Sequence, residues 1–118
     1  MSHVIAVASG KGGVGKTLIT ASLAIALRRR GYTVLAVDAD MGMRNLDLLL
    51  GVQDEVFFDV YDVMKKHCKA ADALVPVGPA GDFLAASQKK TWEKADPKDF
   101  ARVISRLSEN YDYVLIDC

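Results

Sequence analysis

Cysteine, proline and tryptophan are scarce in this chain: among 118 residues there are two cysteines, three prolines and one tryptophan. Cys68 and Cys118 form no Cys-x-x-Cys pair, which argues against a zinc ribbon. The start Met1-Ser2-His3-Val4 lacks the basic-then-apolar pattern of a secretory segment, so a reduced, cytoplasmic protein is expected. Long apolar runs are missing too. The most apolar stretch, Leu18 to Leu27, is interrupted by Thr20 and Ser22 and ends in three arginines, short of the roughly 20 residues a membrane helix needs. Fifteen acidic and fifteen basic side chains cancel, leaving no overall field that would attract nucleic acid or an anionic membrane. Repeats, low-complexity tracts and long linkers are absent. The composition, 51% hydrophobic and 25% charged, is that of one globular domain with one core.

What is present is an alternation of strand and helix signals. His3 to Ala8 is a short apolar run ending at a glycine-rich turn, the pattern of a strand buried on both faces of a parallel sheet. Lys16 to Arg30 are helix formers, with Arg28, Arg29 and Arg30 at the negative end of the helix dipole and Gly31 as the C-cap. Thr33 to Val37 repeats the buried-strand pattern and ends in Asp38-Ala39-Asp40, so the first forty residues read as one βαβ unit. Phe57, Val60, Tyr61 and Met64 recur at helical spacing. So do Phe100, Val103, Ile104 and Leu107, behind an Asp96 N-cap with Pro97 at the first helical position. Leu74 to Val77 and Asp82 to Ala86 are expected as short strands, the first confined by Pro76 to an edge or a strand end. Tyr111 to Asp117 is a last apolar strand closed by a carboxylate.

Gly10 to Thr17 satisfies G-x-x-x-x-G-K-[ST] and lies between an apolar strand and a helix, where a phosphate loop has to lie. Its glycines allow backbone N–H groups to turn toward phosphate oxygens, and the helix N-terminus adds its positive end. Lys16 supplies a point charge, and the Thr17 hydroxyl can ligate Mg²⁺. Gly10, Gly12 and Gly15 also satisfy G-x-G-x-x-G, and Asp38 follows at the distance a dinucleotide-binding fold uses. Lys16-Thr17 directly after the last glycine, two aspartates after the second strand, and the Walker-B-like Val114-Leu115-Ile116-Asp117 favour the triphosphate.

Lys11 stands inside this loop, and Ser9-Gly10-Lys11-Gly12-Gly13-Val14-Gly15-Lys16-Thr17 resembles the deviant Walker A motif of the MinD, ParA and nitrogenase iron-protein superfamily. Asp38 to Gly51, with its Arg44-Asn45-Leu46-Asp47 run, resembles the MinD form of the first switch segment. Partition ATPases of the ParA type usually carry Pro-Gln-Gly there, and FlhG-like flagellar regulators commonly have alanine in place of Arg44. Ala85-Ala86-Ser87-Gln88 and Ile116-Asp117-Cys118 look MinD-like as well.

The resemblance implies a P-loop NTPase fold of the α/β class, a Rossmann-like parallel sheet with helices on both faces, of which residues 1–118 would be the N-terminal part of a single domain. It implies Mg·ATP as ligand, with Gly10, Lys11, Gly12, Gly13, Val14, Gly15, Lys16, Thr17 and Leu18 around the nucleotide. Lys16 would hold the β- and γ-phosphates, and Lys11 would reach across an ATP-sandwich homodimer as an arginine finger does. Thr17, Asp38 and Asp117 would surround the metal, Asp117 through water, while Asp38 and Asp40 position or activate the attacking water. Hydrolysis would require dimerisation. MinC-like and MinE-like partners, and a membrane-gripping C-terminal helix absent from this chain, are also implied, with septum placement as the role. So is a cytoplasmic protein cycling onto the inner face of the cell membrane. A sister ATPase for chromosome partition or flagellar number, and a nucleotide-binding interaction module without turnover, are the alternatives. The family's further strands and adenine-binding region also follow beyond the Walker-B aspartate, so the open side of the sheet is expected to expose apolar positions.

Other residues carry no such signal. His3 and His67 lack a ligand partner at i+3 or i+4, Lys65-Lys66 and Lys89-Lys90 read as solvated surface, Trp92 as packing in a loop or helix start, and Cys118 has no base at a recognisable spacing.

Overall fold

The computed structural model describes residues 2–7, 14–39, 58–85 and 96–117. In chain order these form β1 (His3–Val7), α1 (Val14–Arg29), β2 (Val34–Asp38), α2 (Val60–Met64), α3 (Ala70–Ala73), β3 (Val75–Pro76), a 3-10 turn (Gly78–Ala80), β4 (Asp82–Leu84), α4 (Pro97–Ser108) and β5 (Tyr113–Asp117).

Helix ends follow the local chemistry of the sequence. Gly31 adopts φ +90, its N–H donates to the Arg28 carbonyl (3.0 Å), and the Tyr32 N–H reaches back to Leu27 (3.2 Å), which closes α1 in a left-handed turn that only glycine adopts without strain. The helix begins at Val14, earlier than the expected Lys16. The Asp96 carboxylate accepts from the Lys98 N–H (2.9 Å), with Pro97 opening α4 as expected. α2 starts with a reciprocal capping box: Asp59 accepts from the Asp62 N–H (3.0 Å), and Asp62 accepts from the Asp59 N–H (3.1 Å). Phe57, expected on the apolar face of this helix, lies outside the described residues.

The strands form one sheet in the order β1-β5-β2-β4-β3. β1, β5, β2 and β4 run parallel, and β3 pairs antiparallel with β4 at the edge, where Pro76 needs to supply no N–H. β3 is shorter than the expected Leu74 to Val77: the Val77 N–H donates to the Gly81 carbonyl (2.7 Å), closing the hairpin to β4 where the 3-10 turn begins. β4 likewise ends at Leu84, where the expectation ran to Ala86.

Alternate side chains divide between two layers. Leu35, Val37, Leu84, Val114 and Ile116 pack with Val60, Met64, Val103, Ile104 and Leu107 of α2 and α4. On the other face Val34 and Leu115 meet Ala24 of α1, while Ala36 and Phe83 meet Ala21. Ala21 and Ala24, 7% and 0% exposed, let the helix backbone approach the sheet closely. Helices therefore cover both faces, and each fully buried Leu, Val or Phe contributes about 1.5–3 kcal/mol.

β1 departs from the expectation of a strand buried on both faces. His3, Val4 and Ala6 are exposed, Val4 by 49%, because among the described residues β1 has a neighbour on one side only and α2 and α4 pack under the interior strands instead.

Candidate functional site

Strand order brings together what the sequence keeps far apart. β5 lies between β1 and β2, and the parallel register sets Val7 opposite Asp117 and Asp117 opposite Asp38. Neighbouring strands are ~4.8 Å apart. The two carboxyl-terminal aspartates therefore end adjacent strands side by side, each only 1% exposed. The Ala39 N–H donates to the Asp117 carbonyl (2.9 Å), which carries the pairing one step past Asp38.

The chain leaves β1 at Val7, level with this pair, and is next described at Val14, where α1 begins. Connectivity sets the N-terminus of α1 at the same end of the sheet as Asp38 and Asp117. Its first turn contains no acidic residue of its own, and its last turn carries Arg28 and Arg29 at the negative end of the dipole. Val14, Gly15, Lys16 and Thr17 form this first turn, and Leu18 follows with its side chain 51% exposed. Gly10, Lys11, Gly12, Gly13 and Asp40 lie outside the described residues, as do the switch segment to Gly51, the Ala86-Ser87-Gln88 stretch, Lys89, Lys90, Trp92 and Cys118.

The same order separates the two phosphate-loop readings. In a dinucleotide-binding fold β1 and β2 are direct neighbours, whereas here a third strand with its own terminal carboxylate stands between them. Asp38 and Asp117, buried side by side at the end of the sheet where α1 begins, are hard oxygen donors. Mg²⁺ is held in this way, by one or two carboxylates together with phosphates and water, and seldom by an all-protein cage. Among the described residues no group of three or more His, Cys, Asp or Glu forms such a cage. The residues present fit Mg²⁺ bound with a phosphate ligand.

At the opposite end of the same strands polar groups satisfy one another. The Asp112 carboxylate accepts from the Thr33 N–H (2.8 Å) and the Thr33 hydroxyl (3.1 Å), which holds its pKa below the ordinary value. The Tyr111 hydroxyl donates to Asp82 (2.6 Å), and burial followed by this bond pushes the phenol well above its usual range. Neither pair was anticipated; the only local signal is a polar residue directly before each apolar strand. His3 stacks on Tyr113, with ring centroids 5.2 Å apart, and exposed His67 sits 3.4 Å from Asp62. Lys65 and Lys66 are exposed, as expected.

A mostly parallel sheet, paired aspartates at adjacent strand ends and a glycine-rich segment leading into α1 define a nucleotide-binding domain of the phosphate-loop class. The chain belongs to the CobQ/CobB/MinD/ParA nucleotide binding domain family, which matches residues 5–116. Within it, the septum site-determining protein MinD of Helicobacter pylori is 45% identical over 119 residues, covering 99% of this chain and 44% of that protein. The septum site-determining protein MinD from Pyrococcus horikoshii OT3, complexed with Mg-ADP, superimposes with a TM-score of 0.85 at 43% identity, over 100% of this chain and 49% of that one. The MinC:MinD cell division protein complex of Aquifex aeolicus gives a TM-score of 0.85 at 35% identity, over 98% and 47%. The chain thus spans about half the length of these relatives.

Proposed function

We propose that this chain supplies the phosphate- and magnesium-binding part of a MinD-type, dimerisation-dependent ATPase acting in septum placement. The register that sets Asp38 beside Asp117 at the start of α1 carries this reading. Lys16 binds the β- and γ-phosphates, with backbone N–H groups from Gly10 to Leu18 around them. Thr17 and Asp38 would hold Mg²⁺, with Asp117 supporting it through water. Bound Mg²⁺ supplies charge neutralisation at the phosphate oxygens. Asp38 and Asp40 position the attacking water and accept its proton, and Lys11 completes the clamp from a second subunit. The Mg-ADP complex of the Pyrococcus horikoshii MinD supports the ligand, and the Aquifex aeolicus MinC:MinD complex supports a MinC-like partner. A MinE-like activator and cycling between cytoplasm and the inner membrane face follow from the same family reading. Residues 1–118 are then the N-terminal part of a single ATPase domain. None of the helices among the described residues is long and apolar enough to cross a membrane.

Calorimetric titration with ADP, with and without Mg²⁺, tests this on the chain and its Lys16→Ala variant. Loss of one charged contact to phosphate should weaken binding about a hundredfold. Equal affinity of both proteins overturns the phosphate-loop assignment, and no binding by either moves part of the site to residues beyond this chain.

A further inference from the structure

Away from the strand ends, α2 and α3 lean against α4 around an open cleft of about 520 Å³. Its apolar lining includes Val63 and Val103, and four cations, Lys66, Lys69, Arg102 and Arg106, stand around it with a single carboxylate, Asp72. That carboxylate is occupied, since it accepts from the Lys69 N–H (3.1 Å). Arg102 is occupied as well, donating to the Met64 carbonyl and to Asp99 at 3.4 Å each. Lys66, Lys69 and Arg106 are exposed and make no ion pair among the described residues.

Lys66 shows that one of these cations is kept at a conformational cost. The Lys66 N–H donates to Val63 (3.1 Å) and the His67 N–H to Asp62 (2.9 Å), so Lys66 occupies the left-handed position that closes α2, with φ 62. Glycine is the favoured residue at such a position, and Gly31 fills the equivalent place after α1. A lysine there strains the backbone and aims a charge at the cleft mouth.

We propose that this cleft is a docking site for a short acidic segment of a partner protein that carries an apolar side chain among its carboxylates. The apolar floor takes the side chain, and the three free cations take the carboxylates. Concavity favours such a segment over a lipid surface, which is flat and could reach only the rim. Cys68 lines the same cleft, half-buried, its thiol pushed up by burial and then by the fields of Asp62, Asp72 and Asp59, and it can report occupancy.

The probe is a fluorescein-labelled peptide of glutamates with leucines set among them, titrated by anisotropy at low and high salt. N-ethylmaleimide labelling of Cys68 is followed in a Cys118→Ser background. The peptide should bind, weaken with salt and slow the labelling of Cys68. Combining Lys69→Glu with Arg106→Glu should weaken binding about tenfold or more in a protein that keeps its circular dichroism spectrum. Lys66→Gly should melt higher than the parent chain yet bind the peptide less tightly, a combination that misfolding cannot produce. The proposal is overturned if the charge-reversed protein binds equally well, if binding leaves Cys68 labelling unchanged, or if phosphatidylserine vesicles bind through these cations and the peptide does not.

Discussion

β2 and β5 are neighbours along their whole length, yet their two ends are built on opposite principles. At one end Thr33 and Asp112 pair a donor with an acceptor, on the surface, and close the strand entrance with three hydrogen bonds. At the other, Asp38 and Asp117 stand side by side, buried, at the carboxyl ends of adjacent parallel strands. The first arrangement holds the fold, and the second suits a cation that arrives with its ligand. Polar pairs that complement each other are structural, whereas a buried pair of one kind at the carboxyl ends of parallel strands marks where chemistry takes place.

Substitutions at the two ends should separate these roles. The largest effect is expected at Gly81, which sits at the entrance end with φ +93 and its Cα against the Val34 carbonyl, so that a Cβ would collide with that oxygen. Gly81→Ala should cost about 2–3 kcal/mol in a denaturant titration without changing the nucleotide affinity of the folded fraction. Next comes Asp117→Asn, which should lower ADP affinity in Mg²⁺ about tenfold or more while leaving Mg-free affinity and the melting temperature nearly unchanged. A stability loss as large as that of Gly81→Ala would make the buried pair structural and end the contrast.

Tyr111→Phe should cost about 1.5 kcal/mol by removing the donor to Asp82. Because the folded-state pKa of Tyr111 is raised, its contribution is fully present below pH 10.0 and is lost as pH climbs above that value. The variant should therefore lack that part of the alkaline fall in stability, as followed by thermal melts across pH. The smallest effect is expected at exposed Asp112, whose pKa is lowered by the Thr33 bonds. Its contribution is present above pH 3.8 and fades as pH falls below it. Asp112→Asn should flatten the acid limb of the same melting series, and an unchanged limb would remove Asp112 from the entrance-end network.

Much of the architecture was legible because its signals are local. Gly31 after the arginine run, Asp96-Pro97 before an apolar 3.6-residue pattern, and Pro76 in a short strand each act within a few residues, and each lies where expected. The Asp59–Asp62 capping box was equally local but went unread, since two aspartates three apart are the less familiar form of that motif. At β1 the apolar run states that a strand prefers burial, whereas how its flanks are covered is a matter of topology that no single run contains.

By itself the sequence determined the phosphate-loop pattern, the alternation of strand and helix, the helix ends and the family, all through patterns within short stretches of chain or by direct likeness. Tertiary structure alone decided that Asp38 meets Asp117, that Tyr111 reaches Asp82, and that Lys66, Lys69 and Arg106 surround one cleft. These contacts join residues dozens of positions apart. Which strand inserts between which depends on how two faces of one sheet are covered at once, and no local window of the chain contains that balance.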